Sequence, residues 1–588
     1  MKRGDFVKPI KVDFGGKKKK EASDAKKIII SLVITLVISA ALYYFMLPAL
    51  NFKAIEMYIW LAFSVIIFIG IYGILAGAYR RPEKMAEAKN KMKIPIIILL
   101  VMAVIVGIGY LTGAVFFRAK SYSNIIKVQD GDFAEDVAEI DFSSVPQLDK
   151  DASNVLAAKA LGNLADYVSQ FVVSDLYSTQ INYKGSPVRV QSLEYGDIFK
   201  WMKNTKNGIP AVIIVDMIGH KAEVQRLQEP MKYSPAEYFN EDLIRHCRFN
   251  YPTLMFDTPR FELDDNGRPY WVVPVVDKTI GLFGGKDITG AILVDAATGS
   301  TTLISTSLDG KTKLKTDKFV TDEEFQWLDR VYSAELLNEQ FNYYGKYSNG
   351  FINSIIGQTD VKVTSSGYNY LALNDDVYMY TGVTSITSDE AIIGFVLINQ
   401  RTKDARYYQV SGALENAAQT SAEGKVQQYG YTATFPLLLN VSGEPTYFMS
   451  LKDASGYVKM FALVNVKQST IVAADESLAV CIEQYAAELE KNGISVEIDI
   501  ENVKDNEQEG NEENTVKYVD VTGKITDIRT ATTGGETYFY IKLDDADRYY
   551  KVSVKDAEKI ILVNNGDSVT FEIPEKAEGN IVTVKTVK

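Results

Sequence analysis

Histidine is scarce in this chain: His220 and His246 are the only imidazoles among 588 residues. Triads built on a histidine base and histidine-rich metal centres need more than this, so neither chemistry is expected. His246 and Cys247 are neighbours in a helix-patterned stretch, where adjacent side chains point apart, so they do not form a nucleophile–base pair. Glu262 to Gly267 carries Asp264, Asn266 and Gly267 at the offsets of a calcium loop, but the twelfth position is Val273 instead of a bidentate glutamate. A hairpin turn accounts for the same residues. Gly281 to Asp287 contains Gly-Gly-Lys, with the wrong spacing for a phosphate loop and Asp287 where Ser or Thr belongs. Asp375-Asp376 and Asp544-Asp545 are the carboxylate pairs that a glycosidase-type mechanism would need, but solvated Asp-Asp turns explain them more simply. No catalytic residue, metal ligand or cofactor site is assigned, and the chain is read as non-enzymatic. The remaining candidates are aromatic: Tyr270 and Trp271, Tyr447 and Phe448, and Tyr538 and Tyr540 are expected to form binding surfaces.

The elements that position these residues begin with a membrane segment. Apolar stretches cover about 28–50, 55–79 and 94–117. Each reaches the ~20 residues that a ~30 Å hydrocarbon core requires, and none carries a charge in its middle. The first is too long for the apolar core of a signal peptide and lacks a small-x-small cleavage site, so it reads as a permanent anchor. The tail 1–27 holds Lys2, Arg3, Lys8, Lys11, Lys17 to Lys20, Lys26 and Lys27, and the second loop holds Arg80, Arg81, Lys84, Lys89, Lys91 and Lys93. The positive-inside rule keeps both in the cytoplasm and puts the chain after about residue 118 on the outer side of the plasma membrane.

Charge divides along the same line. The first 118 residues hold 18 basic and 7 acidic side chains, so the remainder carries about −23 of the total of −12. A surface this acidic argues against nucleic acid as a partner. Only Cys247 and Cys481 occur, in separate predicted modules, and free buried thiols are expected. Thirty-five tyrosines against four tryptophans suit half-buried strands and wet interfaces.

The exterior part reads as α+β. A polar stalk is expected over 119–150, a first module over 151–310, a connecting segment over 311–390, a second module over 391–500, an acidic linker over 501–514 and a β domain over 515–588. The two modules share an element order. Strands at Val212–Asp216 and Ala222–Leu227, a helix, and a hairpin through Gly267-Arg268-Pro269-Tyr270-Trp271 are matched by Ile393–Ile398, Ala405–Val410, a helix, and a hairpin through Gly443-Glu444-Pro445-Thr446-Tyr447-Phe448. Alternation in the strands predicts small antiparallel sheets with one buried face.

The hairpin ending in Pro269-Tyr270-Trp271-Val272-Val273, followed by Val294-Asp295-Ala296-Ala297-Thr298-Gly299, resembles the PepSY domain family over about 235–304, an eighth of the chain. The second copy has Asn465 and no Thr-Gly, and it matches in outline. The resemblance implies a non-catalytic binding module of the bacterial envelope, engaging a protein or peptide and modulating a peptidase. The tail, with five strands and a short helix between the third and fourth, resembles an OB-fold barrel. Phe539, Tyr549 and Tyr550 join Tyr538 and Tyr540 as a possible stacking platform there, although ordinary packing fits that compartment better. The readings that compete with a binding protein are an envelope hydrolase with an unrecognised carboxylate site, and a component of an export or DNA-uptake machine.

Overall fold

Among the described residues, three helices are long and apolar enough to cross a membrane: α1 (Asp24–Met46), α2 (Ile55–Ala76) and α4 (Lys93–Thr112), with mean hydropathies of 2.4, 2.5 and 2.8. They fit a three-pass anchor. Between the last two lies α3 (Pro82–Lys91), which is polar and basic. The computed structural model describes residues 23–77, 82–139, 141–373, 376–387, 391–496, 498, 503, 518–533, 536–544, 548–554, 557–574, 581–584 and 586–587. The lysine run Lys17–Lys20, Arg80, Arg81, Asp375, Asp545 and nearly all of the 501–514 linker lie outside these residues.

Ser23 caps α1 by accepting the Lys26 N–H, and Leu47 (φ 50°) ends it ahead of Pro48. Ser31, Thr35 and Ser39 are the buried residues of α1, spaced four apart on one face. Small side chains on a shared face let helices approach closely in lipid. The Ser39 and Ser64 hydroxyls bond at 2.8 Å, and Trp60 Nε1 donates to Ser39 O at 3.0 Å.

The third span is shorter than the expected 94–117. It stops at Thr112, and Val115–Ser123 forms a separate helix, α5, kinked at Arg118. The cause is a strand hairpin that meets the helix end. Phe283, at the hairpin tip, lies 5.9 Å from the Tyr58 ring and 5.1 Å from Tyr110. A Cβ on Gly109 would stand 2.5 Å from the Phe283 ring, so any larger residue there would push that ring aside. The end of α1 is held as firmly. Arg245 and Arg248 donate to Tyr44 O and Leu47 O at 3.2 and 2.9 Å, satisfying carbonyls that a helix terminus leaves orphaned. Lys53, in the α1–α2 connection, pairs with Asp277 at 2.7 Å.

Residues 119–150 are not a loose stalk. The strand β1 (Val128–Gly131) pairs in parallel with Ala405–Tyr408, and Phe142, Val145 and Leu148 are buried. Asn440 Nδ2 donates to Val137 O at 2.6 Å, and Gln147 N donates to Met217 O at 2.8 Å. The apolar residues spaced through this segment sit in grooves between sheets, where no local periodicity marks them.

The chain divides into two compact units, 1–498 and 499–588. Among the described residues, four sheets of the first share one plan, a helix and then four antiparallel strands in sequence order, beside a small two-stranded sheet of Ala391–Ile392 and Gly412–Ala413. In the first repeat the helix Lys150–Gly162 precedes Phe171–Tyr183, Ser186–Tyr195, Ile209–Asp216 and Ala222–Met231. In the second, Leu243–Asn250 precedes Arg260–Leu263, Pro269–Ile280, Gly284–Asp295 and Thr301–Ser305. In the third, Ala334–Tyr347 precedes Asn369–Leu373, Asp376–Ser385, Gly394–Asn399 and Ala405–Tyr408. In the fourth, Glu415–Lys425 precedes Leu437–Val441, Glu444–Lys452, Val458–Asn465 and Val472–Asp475.

One turn identifies the repeat in all four. The third strand ends on Asp216, Asp295, Asn399 or Asn465, whose side-chain oxygen accepts a following backbone N–H: Ile218, Ala297, Arg401 and Gln468, at 2.8–2.9 Å. The next backbone N–H, of Met217, Ala296, Gln400 or Val466, donates back to the carbonyl of Pro187, Pro269, Val377 or Pro445. The two modules read from sequence are thus two pairs of a shorter unit, and the connecting segment 311–390 contains the start of the third.

The second sheet is covered on both sides. Trp271, Val273 and Val294 pack into a core with the first sheet, while Val272, Ala291 and Leu293 pack into a core with the third. The expectation of one buried face fails here. Pro-Tyr-Trp-Val-Val-Pro-Val-Val is a near-continuous apolar run, as a strand buried on both faces requires.

The second unit is a sheet ordered 581–583, 549–553, 536–543, 518–533, 568–574, 586–587. Among the described residues no pairing closes it into a barrel. Strand 518–533 pairs with 568–574 through its first half and with 536–543 through its second.

Candidate functional site

The sequence-marked aromatics separate on folding. Trp271 is fully buried, 5.1 Å from the Tyr177 ring and 4.9 Å from Phe261, and its Nε1 donates to Tyr233 O. Tyr447 is fully buried and donates to Ala413 O, and Phe448 is 2% exposed and stacks on Phe461. These three are core, not surface, because the neighbouring elements that cover them are distant in sequence. Tyr270 is half-buried against Trp327, 5.0 Å away. Tyr538 and Tyr540 are half-buried in the second unit, with Lys551 Nζ 4.0 Å over the Tyr538 ring.

The other chemical candidates are occupied by structural bonds. Asp264 accepts the Asn266 and Arg268 N–H groups inside its hairpin turn. Asp376 is bound by Arg401 through two bonds, at 2.7 and 2.9 Å, and by Asn399 Nδ2. Asp544 accepts the Lys524 N–H. His220 occupies the positive-φ position of the first repeat's turn (φ 54°), and burial holds its imidazole below the usual value. His246 bonds Gly299 O at 2.7 Å. No group of three or more His, Cys, Asp or Glu is placed to hold a metal among the described residues. Cys247 and Cys481 are free and buried, and burial pushes both thiols up to about 12. A maleimide will therefore leave both unmodified in the native protein and label both in denaturant, counted by mass spectrometry.

A cleft at Tyr195 and Phe239 contains Glu194, Glu237 and Asp242, the convergent carboxylates a hydrolase would need. Each is already engaged. Glu237 accepts from Tyr195 OH and Trp201 Nε1, Asp242 caps the Leu243–Asn250 helix, and Glu194 accepts from Ser174. Burial raises Glu237 to about 7, against the pull of the Tyr195 and Trp201 bonds, one on each of its oxygens.

The site that stands out was not marked by any motif. A cavity of about 490 Å³ opens between the repeats, and three arginines line it: Arg189, Arg260 and Arg330, with Tyr368, Tyr370 and Glu335. The fold accounts for Arg189's position. It lies two residues after the proline of the first repeat, opposite Gln180, on the strand that pairs with Val215. The equivalent positions in the other repeats are Trp271, Met379 and Tyr447, all with no measurable exposure. One repeat thus carries a guanidinium, 4% exposed, where the other three carry apolar or aromatic core.

That guanidinium has no counter-ion bonded to it. Its contacts are long, 3.4 Å to Ser178 O and 3.5 Å to Gln180 Oε1, and its Nε has no partner. Burial, followed by the charge of Arg330, pushes it down to about 10. Arg330 stacks 4.2 Å over the Tyr370 ring and also has an unpartnered Nε. Arg260 reaches only the exposed Glu335, at 3.9 Å. A desolvated, unpaired cation costs several kcal/mol, so natural cores seldom retain one without a use.

Glu262 stands behind this wall, fully buried where other repeats place Ile181, Leu371 and Leu439. It accepts the backbone N–H groups of Asp329 and Arg330, each at 3.0 Å. Burial pushes its carboxyl up to about 7 against the pull of those bonds and of Arg330 and Arg260.

No known protein family matches the chain by its sequence, and no curated protein matches it.

Proposed function

We propose that this is a membrane-anchored, non-catalytic binding protein of the bacterial envelope, and that its arginine-lined cavity receives an acidic segment of a protein or peptide partner. The observation that carries the reading is Arg189, a buried cation with no carboxylate bonded to it, Asp149 and Asp151 acting on it only across the cavity, at a position that is otherwise core. Guanidinium groups match carboxylates with paired, charge-assisted bonds, and tyrosine rings beside them suit peptide side chains and backbone. The basic tail and second loop support an exterior placement of the α/β region. The resemblance of the hairpin and the Asp turn to PepSY domains supports a binding module.

The test uses the full chain in detergent. Fluorescence anisotropy should detect a glutamate-rich peptide and not a lysine-rich one, and Arg189→Met should weaken the binding about tenfold or more. Equal binding of both peptides, or of the acidic peptide by Arg189→Met, overturns the reading. Thiol labelling of single cysteines placed near Lys89 and Asp132 tests the orientation, with Asp132 expected to react from outside.

Glu262 sets a pH dependence. Its folded value, about 7, lies above the ordinary carboxylate range, so the stability of the protonated form is lost as pH rises through about 7. The same ionisation adds a negative charge behind Arg260 and Arg330, with Glu335 and Tyr370 at the cavity edge. Sulfate, whose charge is constant over this range, is expected to bind more tightly at pH 6 than at pH 8 by calorimetry. Glu262→Gln should flatten that dependence.

A further inference from the structure

Two groups of apolar side chains on the α/β region are exposed and continuous with the ends of the membrane helices. The first starts in the last turn of α1, where Phe45 is 71% exposed and Tyr44 lies 6.1 Å from the Phe249 ring. Tyr44 OH also bonds Asn240, next to the exposed Phe239. From Phe239 the path continues 5.8 Å to Trp201, in the short helix Ile198–Asn204, whose Phe199 and Met202 are 77% and 62% exposed. The second group starts beyond α4. Phe116 and Phe117 of α5 are exposed, and Phe116 lies 5.1 Å from Phe351, in the helix Phe351–Ile355. Ile352, Ile355 and Ile356 there are all more than half exposed.

A water-soluble surface does not keep such side chains in contiguous patches without something to cover them. We infer that both patches are seated in the bilayer surface, in the leaflet nearest the α/β region, so that the region lies on the membrane at two feet instead of standing off it. The occupant is lipid because both patches continue the apolar surface of helices that themselves cross the membrane. The first foot also has the composition of an interfacial helix: Ile198-Phe199-Lys200-Trp201-Met202-Lys203 presents bulky apolar residues and a tryptophan beside lysines that can reach headgroups. This seating does not depend on what the arginine cavity binds. It also gives the three-pass anchor a role beyond tethering, since one foot follows from the end of α1 and the other from the helix after α4.

The test is spin-label accessibility in the full chain, reconstituted in phosphatidylcholine–phosphatidylglycerol nanodiscs at one copy per disc. Phe199→Cys and Ile352→Cys replace exposed side chains, and the two native cysteines are buried and do not compete for label. Labels at both positions are expected to be more accessible to oxygen than to a water-soluble nickel complex. Ser455→Cys, in an exposed polar turn, should show the reverse. Nickel accessibility at 199 and 352 equal to that at 455 overturns the inference. So does protection that appears only with two or more copies per disc, because the patches would then cover each other.

Discussion

Replacing Arg189 with methionine is expected to stabilise the protein and weaken anion binding in the same variant. Methionine is the residue at the equivalent strand position of the third repeat, Met379, and its unbranched side chain adapts readily to an irregular site. The substitution removes a buried, unpaired cation, together with its repulsion from Arg330. Exchanging buried charge for packed apolar atoms commonly gains about 1–4 kcal/mol, and Arg189 should fall within that range in thermal or urea unfolding. The loss of one charge-assisted contact should weaken an acidic ligand by roughly 1.5–3 kcal/mol, about tenfold or more. A stabilised variant that binds as tightly would detach the cavity from its proposed role. A destabilised one would mean that Arg189 is a structural cation after all.

Trp271→Ala is expected to destabilise the protein by about 3–5 kcal/mol, a large fraction of the stability of an ordinary domain. The side chain is fully enclosed between the first and second sheets, and its removal also leaves Tyr233 O without its donor. The neighbouring Tyr270→Ala should cost far less, because Tyr270 faces the other side of the strand and is only half-buried. The comparison can be read from the two unfolding midpoints. Similar losses for the two variants would contradict a second sheet that buries Trp271 more deeply than Tyr270.

Both predictions depend on features that the linear pattern only partly carries. The shared element order of the two modules is legible because hairpins leave local marks: Gly-x-Pro at 267–269 and 443–445, with a turn glycine ahead of an edge-tolerant proline. Gly185-Ser186-Pro187 carries the same mark and points to the shorter period. The third repeat lacks it, having Asp376-Val377, and its turn begins with Asn399 instead of Asp, so the fourfold repeat is diluted below recognition in the chain. The aromatic candidates failed for a different reason. Trp271, Tyr447 and Phe448 lie on strands whose covering elements come from elsewhere, so their exposure cannot be judged from neighbours in sequence.

What the amino-acid order determined by itself is what depends on short stretches: three spans long and apolar enough for a membrane, their charged flanks, the alternation of helices and strands, and the scarcity of histidine and cysteine. Length, periodicity and composition are local properties, and local physics suffices to read them. Only the tertiary structure decided which strands are covered on both faces, that 119–150 threads between sheets, and that Arg189, Arg260 and Arg330 line one cavity. Those three residues come from different repeats and from the segment between them, and nothing in their own surroundings distinguishes them from surface arginines. Burial without a bonded carboxylate is what makes Arg189 notable, and burial is set by the packing of the whole unit.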